Sequence, residues 1–393
     1  MSALRGTIAL LALACGALAA NVYLAQPLAG PIAATIGLPP QAAGWIVTLT
    51  QLGYGLGLLL LVPLADRVEN RRLILSLVAL AGLSLALAAV ARQAGVFLAA
   101  SLGIGLGSVC VQVLVPYAAH VAPEKARGTT VGLVTAGLML GILLARPAAG
   151  LVAEALAWPA VFASAGVLMC GLFILLALRL PKRRPDQREP YASVLRSMLH
   201  APFRYALLRR RIVYQSALFG GFSLFWTAVP LWLMQPGWGW SEGAVGLFSL
   251  TAASGALAAP MAGALADRGR GDRVTCGALA MAAGGFALAA VAWPSSPWSV
   301  AALVSGASMI NAAVTFSFVV GQRAIFELEP GARARLNGIF MASFTLAGAA
   351  ASALGGWLLV HTGWTVTACC GVAFLIPALA QILCKSAKDA EVR

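Results

Sequence analysis

Charge is what this chain has least of. Only 10% of its 393 residues are Asp, Glu, Lys or Arg, where an ordinary soluble domain carries about 25%. Acids are the scarcer sign, with 13 Asp+Glu against 27 Lys+Arg and a net charge of +14. Hydrophobic residues make up 60% of the chain, which is more apolar surface than a water-exposed fold can hide. Catalytic signatures are missing too. The chain has three His and no GxSxG, HExxH or phosphate-binding glycine loop, so nothing points to hydrolysis or to ATP-driven work by this chain alone. The seven Cys (15, 110, 170, 276, 369, 370, 384) mostly lie in apolar runs without metal-ligand spacing. Neither a metal nor a cofactor is expected, and the vicinal Cys369-Cys370 reads as a pair of small hydrophobes.

What the chain does have is long apolar runs. They recur at about 20 residues, the length a helix needs to cross ~30 Å of hydrocarbon. Backbone amides must be paired within such a segment, so uninterrupted runs of this length are helices. Twelve spans are expected: 6–28, 41–65, 73–91, 95–119, 129–156, 159–180, 212–234, 243–266, 274–293, 298–322, 336–360 and 363–384. A rival reading makes Arg5, the first apolar run and Ala17-Leu18-Ala19 a cleavable leader. It fits less well, because the run continues to Leu28 and cleavage would leave an odd number of spans.

The basic residues orient these spans. With alternating sides assigned to successive loops, all but Arg92 and Arg146 of the Lys and Arg residues fall on one side. The positive-inside rule makes that side cytoplasmic, with both termini inside. The excess charge is thus explained by topology, and nucleic acid is not an expected partner. Trp158, Trp238, Trp240, Trp298 and Trp364 sit at the opposite boundary, where an interfacial aromatic belt is expected.

One polar insertion divides the chain. Residues 181–211 open with Pro181-Lys182-Arg183-Arg184-Pro185, and Tyr191, Val194, Leu195, Met198 and Leu199 then recur at helical spacing beside Arg196. This reads as an amphipathic helix on the cytoplasmic surface. The expected organisation is a six-helix bundle at 1–180, the linker 181–211, a second bundle at 212–384 and a tail at 385–393. The bundles repeat one another. Pro63-Leu64-Ala65-Asp66-Arg67 ends span 2, and Ala264-Leu265-Ala266-Asp267-Arg268 ends span 8, offset by 201 residues. At an offset of 206, Arg127 answers to Arg333, Gly132 to Gly338, Gly150 to Gly356 and Trp158 to Trp364. Repeats of this kind are a recurrent plan of secondary transporters.

At these residues the chain resembles the major facilitator superfamily over essentially its whole length. Val62 through Arg71 is similar to that family's signature between helices 2 and 3, with Val62 and Glu69 where glycines usually stand. Gly263 through Arg270 is the closer copy, and Pro123-Glu124-Lys125-Ala126-Arg127-Gly128 resembles the loop 4–5 signature. Gly141 through Gly150 resembles the helix 5 motif of the family's antiporters, except that Arg146 replaces the Gly before Pro147. Asn21 through Pro27 and Arg333 through Asn337 look like a bacterial branch often labelled as efflux transporters. The resemblance implies an all-α fold of twelve transmembrane helices in two pseudo-symmetric bundles. It also implies a monomer in the bacterial inner membrane, and alternating access that moves a small organic molecule, with export of a drug-like compound or a metabolite such as a siderophore as the leading expectation. Import of a metabolite is the alternative, and a non-transporting membrane sensor a third reading. Proton coupling is part of the resemblance, yet spans 1 and 4 lack the buried carboxylate many such antiporters carry. Glu154 and His120 are the nearest titratable groups.

Two groups of residues carry the expected chemistry. Arg146 is the one basic residue deep within a span and is expected to contact an anionic or acceptor-rich part of the substrate, with a bond to Gln112 as the structural alternative. Asn21, Tyr23, Gln26, Gln51, Tyr54, Gln112 and Asn311 are uncharged polar groups inside apolar spans, and such groups face the bundle as interhelical glue or as cavity lining. Trp226 offers an apolar wall. At the membrane surface, Asp66, Arg67, Arg71, Asp267 and Arg268 are expected to latch and release the cytoplasmic gate, because a carboxylate there can accept from helix N-termini and from Arg.

Overall fold

The computed structural model describes residues 2–185, 190–268, 271–294, 296 and 298–382. The tail 385–393, Cys384, Arg188 and Arg270 lie outside the described residues. Everything regular within them is helical. The elements are α1 (Ser2–Asn21), α2 (Ala29–Thr35), α3 (Gly44–Leu60), α4 (Asn70–Val90), α5 (Ala94–Ser108), α6 (Val111–Val121), α7 (Arg127–Leu156) and α8 (Trp158–Arg179). They continue with α9 (Tyr191–Arg204), α10 (Ala206–Leu233), α11 (Glu242–Phe248), α12 (Ala253–Asp267), α13 (Gly271–Ala290), α14 (Ser299–Phe326) and α15 (Arg333–Ala373).

Eleven helical runs are long and apolar enough to cross a membrane among the described residues, and the last of them, Arg333–Ile382, is 50 residues long. At ~1.5 Å per residue such a run would be more than twice the hydrocarbon thickness. It is two spans, divided where Gly363 takes φ 78 and ψ 179. The fold is therefore all-α, with twelve membrane helices in two pseudo-symmetric bundles.

Several spans are discontinuous. The first is broken between α1 and α2 by the irregular segment around Gln26–Leu28, the fourth between α5 and α6 at Val109–Cys110, and the eighth between α11 and α12 at Ser249–Ala252. Interrupted helices leave backbone groups that must be satisfied inside the protein, which is why they cluster at interior sites in transporters.

By its internal packing the chain forms two compact units. Unit 1 is Met1–Pro39, Trp45–Ser197 and Trp240–Ser249; unit 2 is Pro40–Gly44, Met198–Gly239 and Leu250–Arg393. In unit 1, α1 lies along α7 and α4 along α8. The α1–α7 crossing is close because it is made of glycine: a Cβ on Gly16 would stand 2.6 Å from the Gly137 carbonyl oxygen. Without a hydrophobic effect between helices in lipid, such backbone proximity is what dispersion forces need. In unit 2, α10 lies along α15 and α13 along α14. Leu218, Leu279, Ala282, Ala313 and Leu375 form part of one buried cluster there.

Two surface expectations change in detail. Within α9, Val194, Met198 and Ala201 are buried, while Leu199 and Phe203 are exposed, so its apolar face divides between protein and surroundings. Arg211, read from sequence as a linker charge, lies inside α10 and is buried; its Nη1 donates to Thr275 Oγ1 at 2.8 Å and its Nη2 to Asp272 Oδ1 at 3.2 Å. A guanidinium so close to the apolar region needs such partners.

Candidate functional site

The polar centre of unit 1 gathers at the break in the first span. Asn21 ends α1, and the chain turns through Tyr23, whose backbone N–H donates to Ala20 at 2.8 Å, before Gln26 begins the next helical turn. Asn21 and Gln26 are buried. Meeting Gln26 and Tyr23 from α7 is Arg146, only 2% exposed. Its Nε donates to Gln26 Oε1 at 2.6 Å, and its guanidinium carbon lies 4.6 Å from the centre of the Tyr23 ring. The bond satisfies the acceptor end of Gln26, and the ring face adds a cation–π contact worth up to about 2 kcal/mol when desolvated. Pro147 follows immediately, so the Leu143 carbonyl has no helical N–H to accept from and the helix is weakened at this point.

The partner of Arg146 is thus Gln26, not Gln112. Gln112 donates instead to Tyr54 Oη at 3.0 Å, tying α6 to α3. Two donors at the span break, Asn21 Nδ2 and Gln26 Nε2, are buried without a hydrogen-bond partner among the described residues. Buried donors left so cost about 1–3 kcal/mol each unless something else accepts from them. The cluster is therefore donor-rich and cationic, the chemistry that accommodates a carboxylate or another strong acceptor.

The remaining predicted residues take other places. Gln51 is buried in α3. In unit 2, Trp226 is buried on α10 with its ring edge-on to Phe225 at 5.6 Å, and Asn311 spends an amide hydrogen on the Ala307 carbonyl of its own helix at 2.7 Å. Tyr54, one of the polar groups expected inside the spans, is the acceptor for Gln112, whereas the Arg211–Thr275–Asp272 cluster carried no expectation from sequence. A Tyr in an apolar run and an Arg at its edge carry no local mark of their partners.

The surface residues of the two loop motifs differ. Asp66 and Arg67 are exposed. Arg71 Nη2 donates to the Ala177 carbonyl at 2.5 Å, Tyr117 Oη to the Pro181 carbonyl at 2.7 Å, and the Asn70 amide to the Arg183 carbonyl at 2.9 Å. This first copy is stitched to the end of α8 and to the linker. In the second copy Asp267 pairs with Arg323 at the end of α14, both well exposed, and Arg268 is exposed.

The Trp residues expected in a belt also separate. Trp158 and Trp364 are buried: Trp158 Nε1 donates to Thr35 Oγ1 at 3.2 Å and Trp364 Nε1 to the Ala289 carbonyl at 2.7 Å. Trp298 is exposed. Position along a span predicts depth, and radial direction is a separate matter.

Twelve membrane helices in two repeated bundles, with interrupted spans around a buried polar cluster, define a secondary transporter that moves a small molecule across a membrane by alternating access. The family model described as Major Facilitator Superfamily matches residues 11–319, and the chain belongs to that family. It is a multi-pass membrane transporter, not an enzyme. A putative transporter of Escherichia coli K12, YgaY, is 36% identical over 361 residues, covering 91% of this chain and 90% of that protein. The E. coli K12 3-(3-hydroxy-phenyl)propionate transporter is 33% identical over 246 residues, 61% of this chain and 59% of that protein. Among solved structures, the nucleoside transporter NupG aligns with a TM-score of 0.79 at 15% identity, over 96% of this chain and 98% of that one. That likeness establishes the fold.

Proposed function

We propose that this transporter exports a small organic molecule bearing a carboxylate or a comparably strong acceptor group, and that Arg146 grips that group. The observation carrying this reading is the buried guanidinium bonded to Gln26 at a span break where two buried donors, Asn21 Nδ2 and Gln26 Nε2, lack acceptors among the described residues. An Arg near mid-membrane costs at least ~2.5 kcal/mol on insertion scales, and the equivalent position of the other half is Ser352, so the architecture does not require it. The relative named for 3-(3-hydroxy-phenyl)propionate, itself a carboxylate, supports the same substrate chemistry. In this reading Tyr23, Gln51 and Gln112 line or brace the site within unit 1, Trp226 and Asn311 are candidate substrate contacts within unit 2, and Asp66, Arg67, Arg71, Asp267 and Arg268 work the cytoplasmic gate.

Binding of a panel of aryl and alkyl carboxylates to purified protein tests the assignment. Arg146→Lys should retain weak binding and Arg146→Ala almost none, with both proteins folded. Normal binding and transport by Arg146→Ala would remove Arg146 from the site. The orientation that makes export outward rests on the basic residues: a reporter fused after Pro185 should read as cytoplasmic and one after Pro294 as external.

A further inference from the structure

Unit 2 contains a second cavity with different chemistry. Where α10 ends and α15 bends, a space of about 220 Å³ is lined by Trp232, Trp293, Trp364, Gln235, Leu359 and Thr365, with Gly363 at its edge. None of the residues lining it carries a charge. Trp232 and Trp364 are stacked at 4.2 Å and 5° between planes, and Trp238 stands edge-on to Trp232 at 5.1 Å. The bond from Trp364 Nε1 to Ala289 commits that ring's only polar group and fixes its plane. Each ring of the stacked pair covers one face of the other, so only outer faces and ring edges are left for further neighbours.

The turn of the chain does not demand this cavity. At the matched corner of unit 1, Trp158 meets Phe97 and Phe162 edge-on at 5.6 and 6.0 Å, and those two rings meet each other at 5.4 Å. Three mutually packed rings fill that corner. In unit 2 the stacked pair leaves an opening, and Trp293 at its rim is 60% exposed.

We propose that this cavity binds a small organic ammonium group. Indole faces carry negative quadrupole density, which attracts a cation with a soft alkyl shell and repels an anion. An uncharged lining neither competes with such a cation nor pays to bury a counter-ion. The site is distinct from the Arg146 cluster, which lies in unit 1 and favours the opposite sign.

Choline and its uncharged isostere 3,3-dimethylbutan-1-ol separate this from simple apolar filling. With the full-length protein in phosphatidylglycerol nanodiscs, saturation-transfer NMR should detect the choline methyl groups, and the isostere should bind about tenfold more weakly. Trp293→Leu changes a largely exposed side chain, so it should preserve a monodisperse protein while reducing the choline signal severalfold. Repeating the titration in phosphatidylcholine nanodiscs identifies the source. A right-shifted curve marks occupancy by the lipid headgroup and an unchanged curve marks free ammonium compounds; both keep the assignment. Equal binding of the isostere, no choline signal, or an undiminished signal in Trp293→Leu overturns it.

Discussion

The two halves of the chain repeat one plan and fill it with opposite chemistry. Unit 1 surrounds the break in its first span with Asn21, Tyr23, Gln26 and Arg146, and ties Gln112 to Tyr54. Unit 2 packs Phe219, Phe222, Phe225, Trp226, Phe318, Phe340 and Phe344 into contiguous ring pairs. Position 146 holds a guanidinium, whereas its counterpart 352 holds a buried serine hydroxyl. A repeated scaffold keeps the constraints both copies share, which are span length, helix crossings and the loop motif. What differs is free to specialise, and here one copy became polar and the other aromatic.

The sharpest way to break that comparison is to exchange the two residues. Arg146→Ser gives the first half what the second already tolerates, so protein yield should stay normal while carboxylate binding is lost. Ser352→Arg places a guanidinium where the surroundings are built for a small side chain. With insertion costs of about 2.5–3.5 kcal/mol for Arg at a helix centre and steric overlap added, folded protein should be nearly absent from the membrane. Comparable yields of the two variants would mean that the halves are not specialised at this position.

The spans were legible in the sequence because lipid imposes one simple requirement, a long apolar helix, and composition alone reports it. The breaks at Gln26–Leu28 and Val109–Cys110 were not, since apolar residues populate an interrupted and a continuous helix alike. Arg146 was legible as a buried charge by its isolation. Its partner was not: Gln26 and Gln112 lie at similar depth, and only the α1–α7 crossing, with Gly16 against Gly137, decides which one it meets. Trp158 and Trp364 were read as interfacial for the same reason. Arg211 was hidden because a charge at the end of an apolar run looks like an anchor whether or not a Thr and an Asp wait inside for it.

The loop motifs offer a second, smaller contrast. Around Asp66 the first copy is held by bonds from Arg71, Asn70 and Tyr117 to the end of α8 and to the linker, whereas Asp267 makes an exposed pair with Arg323. Exposed pairs are worth about 0–1 kcal/mol, so Asp267→Asn should slow transport less than about fivefold. A switch carrying 1–3 kcal/mol of coupling would make Asp66→Asn costlier, roughly tenfold or more, with substrate binding retained. Turnover in reconstituted vesicles distinguishes them, and a normal rate in Asp66→Asn would reduce it to a topology marker.

The smallest effect concerns the corner that precedes each matched Trp. Ala157 takes φ 85 and ψ 156, and Gly363, at the same place in the second half, takes φ 78 and ψ 179. This region of backbone space is open to glycine and strained for a residue with a Cβ, by about 1–3 kcal/mol. The second half meets the turn with the residue that fits it, while the first half carries the strain next to the packed Phe97–Trp158–Phe162 rings. Ala157→Gly should release the strain and lose about 0.4–1 kcal/mol to the greater freedom of the unfolded chain. The net is a stabilisation of about 1 kcal/mol. Gly363→Ala should destabilise, because it adds the strain where the second half has none. Thermal unfolding of the two purified variants beside the wild type reads both signs. A lower melting temperature for Ala157→Gly would mean that the Ala157 side chain contributes more by contact than its backbone costs.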